Sequence, residues 1–249
     1  MTVNPDNWDE HWSQYSSSAD ANPAQSYRFD SIFRLILSEV GVPAQIVDIG
    51  CGTGALLQEV SVRFPTVEIL GVEPSTTGAE YSASRLGHDR VIRIDITRDK
   101  FNSTLVREGS VVVCTEVLEH LDNPLVLLKS IRDHVMRDDS RIVLSVPGGY
   151  RSAYDRHIGH REHFTRRRLE NLLQEAGYSN IRVYRSGFPF FNVYKLSVIL
   201  LGKKLIENPD KYASAASGPS RIGKVAHKLM KMSFVDRPFG WQIFAVASR

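Results

Sequence analysis

The sequence has few cysteines and no long apolar run, and both features limit the classes of protein to which it can belong. Cys51 and Cys114 are the two cysteines in 249 residues, and their spacing fits neither a zinc motif nor a redox motif. We therefore expect free thiols in a reducing, cytoplasmic compartment. The opening MTVNPDNWDE lacks the basic and apolar regions of a signal peptide. The longest apolar stretch, residues 188–202, contains Asn192 and Lys195 and is shorter than the ~18 residues that a membrane span needs.

Strong charge of either sign is also missing. The net charge is +3 and the pI is about 8.8, which is too mild to favour nucleic acid as a partner. Hydrophobic residues make up 42% and charged residues 24% of the chain, as in ordinary soluble proteins. The length fits one domain with an appendage.

From residue 41 the pattern alternates between apolar β-branched runs and helical periodicity. The runs that predict strands cover residues 44–50, 67–73, 90–95, 110–116 and 141–147, with two later ones at 180–187 and 240–248. Continuous apolar strands that alternate with helices predict a parallel sheet covered on both faces. We therefore expect a doubly wound α/β fold, in which ligands bind beyond the carboxyl ends of the strands.

The chain divides into three predicted parts. Residues 1–40 carry Trp8, Trp12 and Tyr15 and are interpreted as an irregular lid followed by a helix over the ligand crevice. The aromatics of this lid would either wall an acceptor pocket or pack a terminal helix onto the core. Residues 41–187 with 238–249 form the α/β domain. Residues 188–237 form a helical insertion, which is apolar at its start and basic near its end.

A glycine loop, IVDIGCGTGALL, follows the first strand. It lacks the Gly-Lys-Ser/Thr ending of a P-loop, and its G-x-G-x-G spacing differs from the G-x-G-x-x-G of dinucleotide-binding proteins. Glu73 ends the second strand, where a carboxylate can accept hydrogen bonds from both hydroxyls of a ribose. Asp95 ends the third strand, where an adenine amino group would lie. The predicted strand ends carry no basic residue that could bind a pyrophosphate, so the pattern favours a nucleoside that carries an amino-acid tail.

The motifs VDIGCGTG, GVEPS, RIDIT and CTEVLEHLDNP, in this order and spacing, resemble the class I S-adenosylmethionine-dependent methyltransferases. The resemblance runs from about residue 26 to 187 and resumes at the last strand. It implies a seven-stranded sheet with an antiparallel last strand and S-adenosylmethionine as the cofactor. The cofactor-binding positions that it implies are Asp48, Gly50, Cys51, Gly52, Thr53 and Gly54 for the methionine tail, Glu73 and Pro74 for the ribose, Asp95 and Ile96 for the adenine, Thr115 and Glu116 for the sulfonium end, and Arg28 with Tyr27 for the methionine carboxylate.

Glu116, Glu119 and His120 have the spacing of one face of a helical turn. This stretch is similar to the metal-binding motifs of ubiquinone-pathway O-methyltransferases and of small-RNA 2′-O-methyltransferases. The similarity implies Mg²⁺ or Mn²⁺, with His163, or with less support His160, as a further ligand. Two other interpretations remain open: His120 or His163 acts as a metal-free base, or the motif is purely structural.

The layout is similar to bacterial methyltransferases of sugars, surface glycans and secondary metabolites. We therefore expect O-methylation of a small-molecule acceptor, with His120 or His163 assisting deprotonation and with Glu116 and Glu119 orienting the acceptor. One alternative is a Mg²⁺-dependent RNA 2′-O-methyltransferase, and another is a non-enzymatic S-adenosylmethionine-binding partner protein. The insertion is either a lid over an apolar acceptor pocket, a homodimer contact, or a membrane-surface patch that presents lipid-linked acceptors.

Overall fold

The computed structural model describes residues 7–20, 23–207, 229–230, 232–234 and 236–249, without the side chains of residues 15–20, 23, 203 and 205. The strands are β1 (Gln45–Ile49), β2 (Glu68–Glu73), β3 (Val91–Arg93), β4 (Val111–Thr115), β5 (Arg141–Pro147), β6 (Ser179–Ser186) and β7 (Gln242–Ser248). The α-helices are α1 (Trp8–Asp20), α2 (Pro23–Glu39), α3 (Ala55–Arg63), α4 (Thr76–Leu86), α5 (Pro124–Ser130), α6 (Ala153–His157), α7 (Arg166–Glu175) and α8 (Phe190–Glu207).

These strands form one seven-stranded sheet in the order β3-β2-β1-β4-β5-β7-β6. The first five strands are parallel, whereas β7 runs antiparallel between β5 and β6. The expected doubly wound α/β fold with an antiparallel last strand is therefore confirmed. The strand order reverses between β1 and β4, and in such sheets a ligand crevice opens at that point, beyond the carboxyl ends of the strands.

The apolar runs of the central strands are buried on both faces of the sheet. Every residue of β1 is buried, and alternate residues of β4 belong to two separate cores. One core lies under α5 and α7, and the other lies under α2 and α3. The sequence from Thr165 to Gly177 predicts a helix, with Thr165 as its cap, Gly177 as its stop and the leucines facing inward. Helix α7 confirms this: Thr165 caps it, Leu169, Leu172 and Leu173 are buried, and Gly177, with a φ of 87°, follows its end.

Of the lid and helix predicted for residues 1–40, the first part is helical rather than irregular and forms α1. The Asn7 side chain accepts a hydrogen bond from the Glu10 amide at 3.1 Å, which satisfies one free donor of the first turn. Asp9 and Glu10 place negative charge in that turn, where the helix dipole favours it. Residues 8–20 also contain neither proline nor glycine, so nothing interrupts the helix.

The insertion predicted at residues 188–237 contributes α8, which packs against α6. The sequence between residues 208 and 228 lies outside the described residues, and so does most of the basic stretch at 221–232. The Tyr15 side chain also lies outside them. Among the described helices, none combines the length and the apolar character that crossing a membrane requires.

Candidate active site

The glycine loop makes its turn between β1 and α3 with left-handed backbone angles. Gly50, Gly52 and Gly54 have φ values of 73°, 54° and 74°, which residues other than glycine rarely adopt. The amides of Gly50 and Cys51 donate to the Val72 carbonyl at 2.8 and 3.2 Å, which anchors the loop to β2. The loop therefore presents backbone, without side chains at the glycines, to the crevice at the switch point.

Two buried carboxylates flank this loop. Asp48 is 2% and Glu73 is 3% exposed. Glu73 accepts hydrogen bonds from the amides of Gly52 at 2.8 Å and Ser75 at 3.1 Å, whereas Asp48 Oδ1 has no hydrogen-bond partner among the described residues. A buried polar atom without a partner is costly, so Asp48 is suited to a ligand that donates hydrogen bonds.

Burial raises the pKa values of both carboxyl groups. The pKa of Glu73 rises to about 7, although the Gly52 and Ser75 amides act in the opposite direction. The pKa of Asp48 rises to about 8 because of burial and, secondarily, the negative charge of Glu73. Both groups therefore titrate near neutral pH in this state, and a ligand that donates hydrogen bonds would favour their charged forms.

Helix α1 lies across the crevice and covers the glycine loop. A Cβ atom placed on Gly52 would lie 2.5 Å from Cζ2 of Trp12, and one on Gly78 would lie 2.8 Å from Cδ1 of Trp12. The carboxylate of Asp9 accepts hydrogen bonds from Ser75 Oγ at 2.7 Å and from the Thr77 amide at 2.8 Å, at the start of α4. The indole of Trp12 therefore occupies the space between the glycine loop and α4, directly over Glu73.

The other residues implied for the cofactor differ in burial and in their hydrogen-bond partners. Asp95 lies two residues beyond the end of β3 and accepts a hydrogen bond from the Thr97 amide at 3.0 Å. Tyr27 is buried in the core under α2 and α3, with its hydroxyl 2.7 Å from Ser186 Oγ. Buried positions are Cys51, Thr53 and Ile96, whereas Thr115 is half-buried and Pro74 is exposed.

Glu116 does not share a helical turn with Glu119 and His120, so that prediction was wrong. Its φ is 55°, and the 3₁₀-helix Leu118–His120 begins two residues later. One Glu116 oxygen accepts hydrogen bonds from Ser145 Oγ at 2.9 Å and Gln242 Nε2 at 2.8 Å, and the other lies 3.6 Å from an Arg28 guanidinium nitrogen. The left-handed backbone thus places the Glu116 carboxylate beside Arg28 and beside Gln242 of β7.

The structure instead groups Glu119 and His120 with His160. One potential ligand atom from each of these buried residues lies within 4.8 Å of the others. His163 joins an overlapping group with His160 and Asp155, and its Nε2 lies 3.1 Å from His160 Nδ1. Within the described part of the chain, neither Glu119 oxygen nor His120 Nδ1 has a hydrogen-bond partner. This is a donor set that a divalent cation could satisfy.

Burial sets the charge state of this cluster. It raises the pKa of Glu119, and the negative charge of Glu116 adds to that effect. It lowers the pKa of His120 to about 3 and that of His160 well below its usual range. Burial also lowers the pKa of His163, but the nearby Asp155 carboxylate opposes the shift. The imidazoles are therefore neutral at pH 7 and have lone pairs available for a proton or a metal.

Two residues of this region were missed by the sequence reasoning. Lys195 of α8 donates to Asp155 of α6 at 2.6 Å, and both side chains are largely buried. Asp155 also forms a capping box with Ser152, and the spacing S-x-x-D could have located that helix start. No local pattern could pair residues 155 and 195, because the contact depends on how the insertion folds back.

Solved structures with a similar fold act on chemically different acceptors. One is phosphoethanolamine N-methyltransferase 2 of Haemonchus contortus, solved with phosphomonomethylethanolamine and S-adenosylhomocysteine, with a TM-score of 0.55 at 18% identity. The match covers 87% of this chain but only 52% of the Haemonchus chain. The plantazolicin methyltransferase BamL, with a triazolic desmethylPZN analog and S-adenosylhomocysteine, has a TM-score of 0.61 at 14% identity, covering 100% and 95% of the two chains. Geranyl diphosphate C-methyltransferase of Streptomyces coelicolor A3(2), with Mg²⁺, geranyl diphosphate and S-adenosylhomocysteine, has a TM-score of 0.50 at 16% identity, covering 91% and 78%.

At these identities the likeness establishes the fold. No curated protein matched the sequence significantly. A family model described as a methyltransferase domain matches residues 24–183, which is well over half of the chain and includes the glycine loop, both buried carboxylates and the histidine cluster. The chain therefore belongs to this methyltransferase-domain family.

Proposed function

We propose that this protein transfers a methyl group from S-adenosylmethionine to an oxygen atom of a small-molecule acceptor. The observation that carries the proposal is the meeting of the glycine loop with the buried carboxylates Asp48 and Glu73 at the switch point of the sheet, in a chain of the methyltransferase-domain family. Such a site has donors and acceptors for a nucleoside with an amino-acid tail.

The residues of the crevice fit this cofactor. Asp48 Oδ1, which has no partner in the residues that the structure covers, would accept a hydrogen bond from the amino group of the methionine tail. Glu73 would hold the ribose hydroxyls, and Asp95 with Ile96 would flank the adenine. When bound, S-adenosylmethionine supplies an electrophilic methyl group on a sulfonium. Binding requires the Trp12 indole to leave the space over Gly52 and Glu73.

An oxygen acceptor must lose its proton, and the histidine cluster supports this choice. His163 is the better base, because its Nε2 lies 3.9 Å from an Asp155 carboxylate oxygen and that charge favours the imidazolium. His120, with a pKa of about 3, is a weaker proton acceptor. Glu116, fixed by Arg28, Ser145 and Gln242, would orient the acceptor at the edge of the crevice.

A metal-assisted variant of this reaction is supported by the unpartnered oxygens of Glu119. Glu119, His120 and His160 would hold Mg²⁺ or Mn²⁺, which would lower the pKa of an acceptor hydroxyl. In that variant His163 would lie beside the site, and Glu116 would remain with Arg28. These three residues would offer one hard carboxylate and two neutral imidazoles, a combination of ligands that Mn²⁺ can bind.

The two variants differ in a calorimetric titration of Mg²⁺ and Mn²⁺ into protein saturated with S-adenosylhomocysteine. The metal-assisted variant predicts stoichiometric binding that Glu119→Gln abolishes and that Glu80→Gln, an exposed change on α4, leaves intact. Absence of binding in the wild-type protein would instead assign the deprotonation to His163.

Small-molecule acceptors are supported by the modest net charge of +3 and by the acceptors bound in the similar structures. The buried free thiols Cys51 and Cys114 fit a cytoplasmic protein. The first experiment is calorimetry with S-adenosylhomocysteine. Assays of methyl transfer from S-adenosylmethionine to phenols, sugars and lipid-linked glycans follow. Failure to bind S-adenosylhomocysteine would refute the cofactor, and binding without turnover on any acceptor would favour a non-enzymatic binding protein.

A further inference from the structure

Helix α8 has two faces of different character. Its inner face carries Phe191, Lys195 and Gly202, which are spaced by about one helical turn or a multiple of it. Phe191 is buried against Tyr27 with ring centroids 4.8 Å apart, and Lys195 pairs with Asp155. A Cβ atom placed on Gly202 would lie 3.7 Å from Cβ of Tyr154, so the small residue brings α8 close to α6. This face is packed onto the protein along the helix.

The opposite face of α8 is apolar and exposed. Val193, Leu196 and Leu200 are 64%, 45% and 77% exposed and lie three and four residues apart. At the start of the helix, the exposed rings of Phe188 and Phe239 have centroids 6.0 Å apart, and the Phe239 carbonyl accepts a hydrogen bond from Asn192. These five exposed apolar side chains, which we call the apolar strip, lie at the start of α8 and along its outer face. A cluster of exposed apolar side chains marks an interaction site.

The charge of the neighbouring sequence indicates which kind of partner fits. Residues 203–231 contain seven Lys and Arg but only two Asp and Glu, whereas the whole chain has a net charge of +3. The rest of the chain is therefore net negative, and the positive charge is concentrated in the sequence that follows the apolar strip. The first described member of this set, Lys204, is exposed one turn beyond Leu200.

We propose that the apolar strip docks on an anionic lipid bilayer surface. Aliphatic and phenylalanine side chains would enter the boundary between headgroups and acyl chains, and the exposed Lys204 would lie against anionic headgroups. A symmetric contact with a second copy fits less well, because the same patch would face itself and bring two positive segments together. The length and composition of α8 agree with a helix that lies on a bilayer, since none of the described helices could cross one.

Docking through this face would hold the candidate active site close to the bilayer. The inner face of α8 reaches the histidine cluster through Lys195 and Asp155, whose carboxylate lies 3.9 Å from His163. An acceptor anchored in the membrane would then need to rise by little more than the thickness of one helix to reach the cluster. The docking itself does not depend on the proposed methyl transfer, and it is tested without cofactor or acceptor.

The test is co-sedimentation of the full chain with phosphatidylcholine vesicles, with and without about a third of phosphatidylglycerol. We expect pelleting with the anionic vesicles that weakens at high salt. The triple variant Val193→Ser, Leu196→Ser, Leu200→Ser should lower the partition coefficient at least about tenfold, because it removes the inserted apolar area. The matched control Val42→Ser, Val62→Ser, Val126→Ser changes three valines that are exposed on other surfaces, and it should pellet like the wild type.

Three outcomes would overturn the proposal. The first is a wild-type protein that stays in solution with anionic vesicles, a result that needs no variant. The second is pelleting that the strip variant and the control retain equally. The third is a concentration-dependent increase in mass that the strip variant abolishes, together with no lipid binding, which would assign the strip to a second copy of the chain.

Discussion

Glu73 carries two hydrogen bonds in the structure and would exchange them for others when a nucleoside binds. Its two oxygens accept hydrogen bonds from the backbone amides of Gly52 and Ser75, and the indole of Trp12 shields the carboxylate from water. Under these conditions its pKa is about 7. Ribose hydroxyls would add donors to the same carboxylate, so cofactor binding and ionisation of Glu73 should favour each other.

We predict that Glu73→Gln raises the Kd for S-adenosylhomocysteine at least about tenfold, since a hydrogen bond to a charged group contributes ~1.5–3 kcal/mol. Isothermal calorimetry at pH 8, where the wild-type carboxyl is mostly ionised, measures the change. Glu80→Gln on the exposed side of α4 is the control and should leave the Kd unaltered. Equal affinities for the wild type and Glu73→Gln would show that Glu73 does not contact the ribose.

Single residues could be predicted from the sequence where they lie at the carboxyl end of a strand. Asp48 within β1 and Glu73 at the end of β2 lie at the switch point because parallel strands end at the same edge of the sheet. The backbone angle of Glu116 had no such signal, so its separation from Glu119 could not be foreseen. The grouping of His160 with His120 also depends on the path of the chain between residues 150 and 164, which no periodicity describes.

Helix α1 is the element that controls access to the crevice. It is fixed to α4 through Asp9 at one turn and covers Gly52 through Trp12 at the next. Trp8 of the same helix lies edge-on against His120, with ring centroids 4.8 Å apart. One helix thus covers both the expected cofactor position and the histidine cluster, and the two parts of the site should open together.

We predict that Trp12→Ala accelerates binding of S-adenosylhomocysteine by about threefold or more, because the variant removes the group that must leave the crevice first. Stopped-flow mixing with the same fluorescent analogue of S-adenosylhomocysteine measures the association rate of the wild type and of the variant. Tyr81→Ala, an exposed aromatic change on α4, is the control. A slower or weaker association of Trp12→Ala would indicate that the indole contacts the cofactor rather than obstructing it.

The elements themselves were mostly predictable. Apolar runs located all the strands, and the cap at Thr165 with the stop at Gly177 located α7. The pattern of α1 was harder to interpret, because Trp8 and Trp12 are only half-buried and Trp12 rests on a glycine loop rather than on an apolar core. The apolar strip on α8 is exposed, whereas the outer face of a helix is usually polar. The sequence alone therefore did not indicate which partner the strip contacts.

At the scale of the whole molecule, burial at the site makes folding stability depend on pH in two opposite ways. The pKa of Asp48 is about 8 and that of Glu73 about 7, both above their usual values of 3.8 and 4.5. The folded protein therefore holds protons that the unfolded chain has released, and stability falls as pH rises through these values. The pKa of His11 is about 4 and that of His120 about 3, below the usual 6.5, so their contribution to stability falls as pH drops below 6.5.

Between about pH 4.5 and 6.5 the two trends oppose each other, because the folded carboxyl groups keep their protons while the buried histidines exclude theirs. The stability of the cofactor-free protein should therefore change little over that range and decline above pH 6.5, where only the carboxyl groups act. From there to pH 8, release of the protons of Asp48 and Glu73 should lower the free energy of unfolding on the order of 2 kcal/mol, since both groups are buried and escape solvent screening. Urea unfolding at pH 5, 6.5 and 8 measures the profile. The double variant Asp48→Asn, Glu73→Gln should lose the decline above pH 6.5 and become less stable at pH 5 than at pH 6.5, because the carboxyl groups no longer offset the histidines. A wild-type stability that rises between pH 6.5 and 8 would mean that both carboxylates are already ionised, with the crevice open to water and α1 displaced.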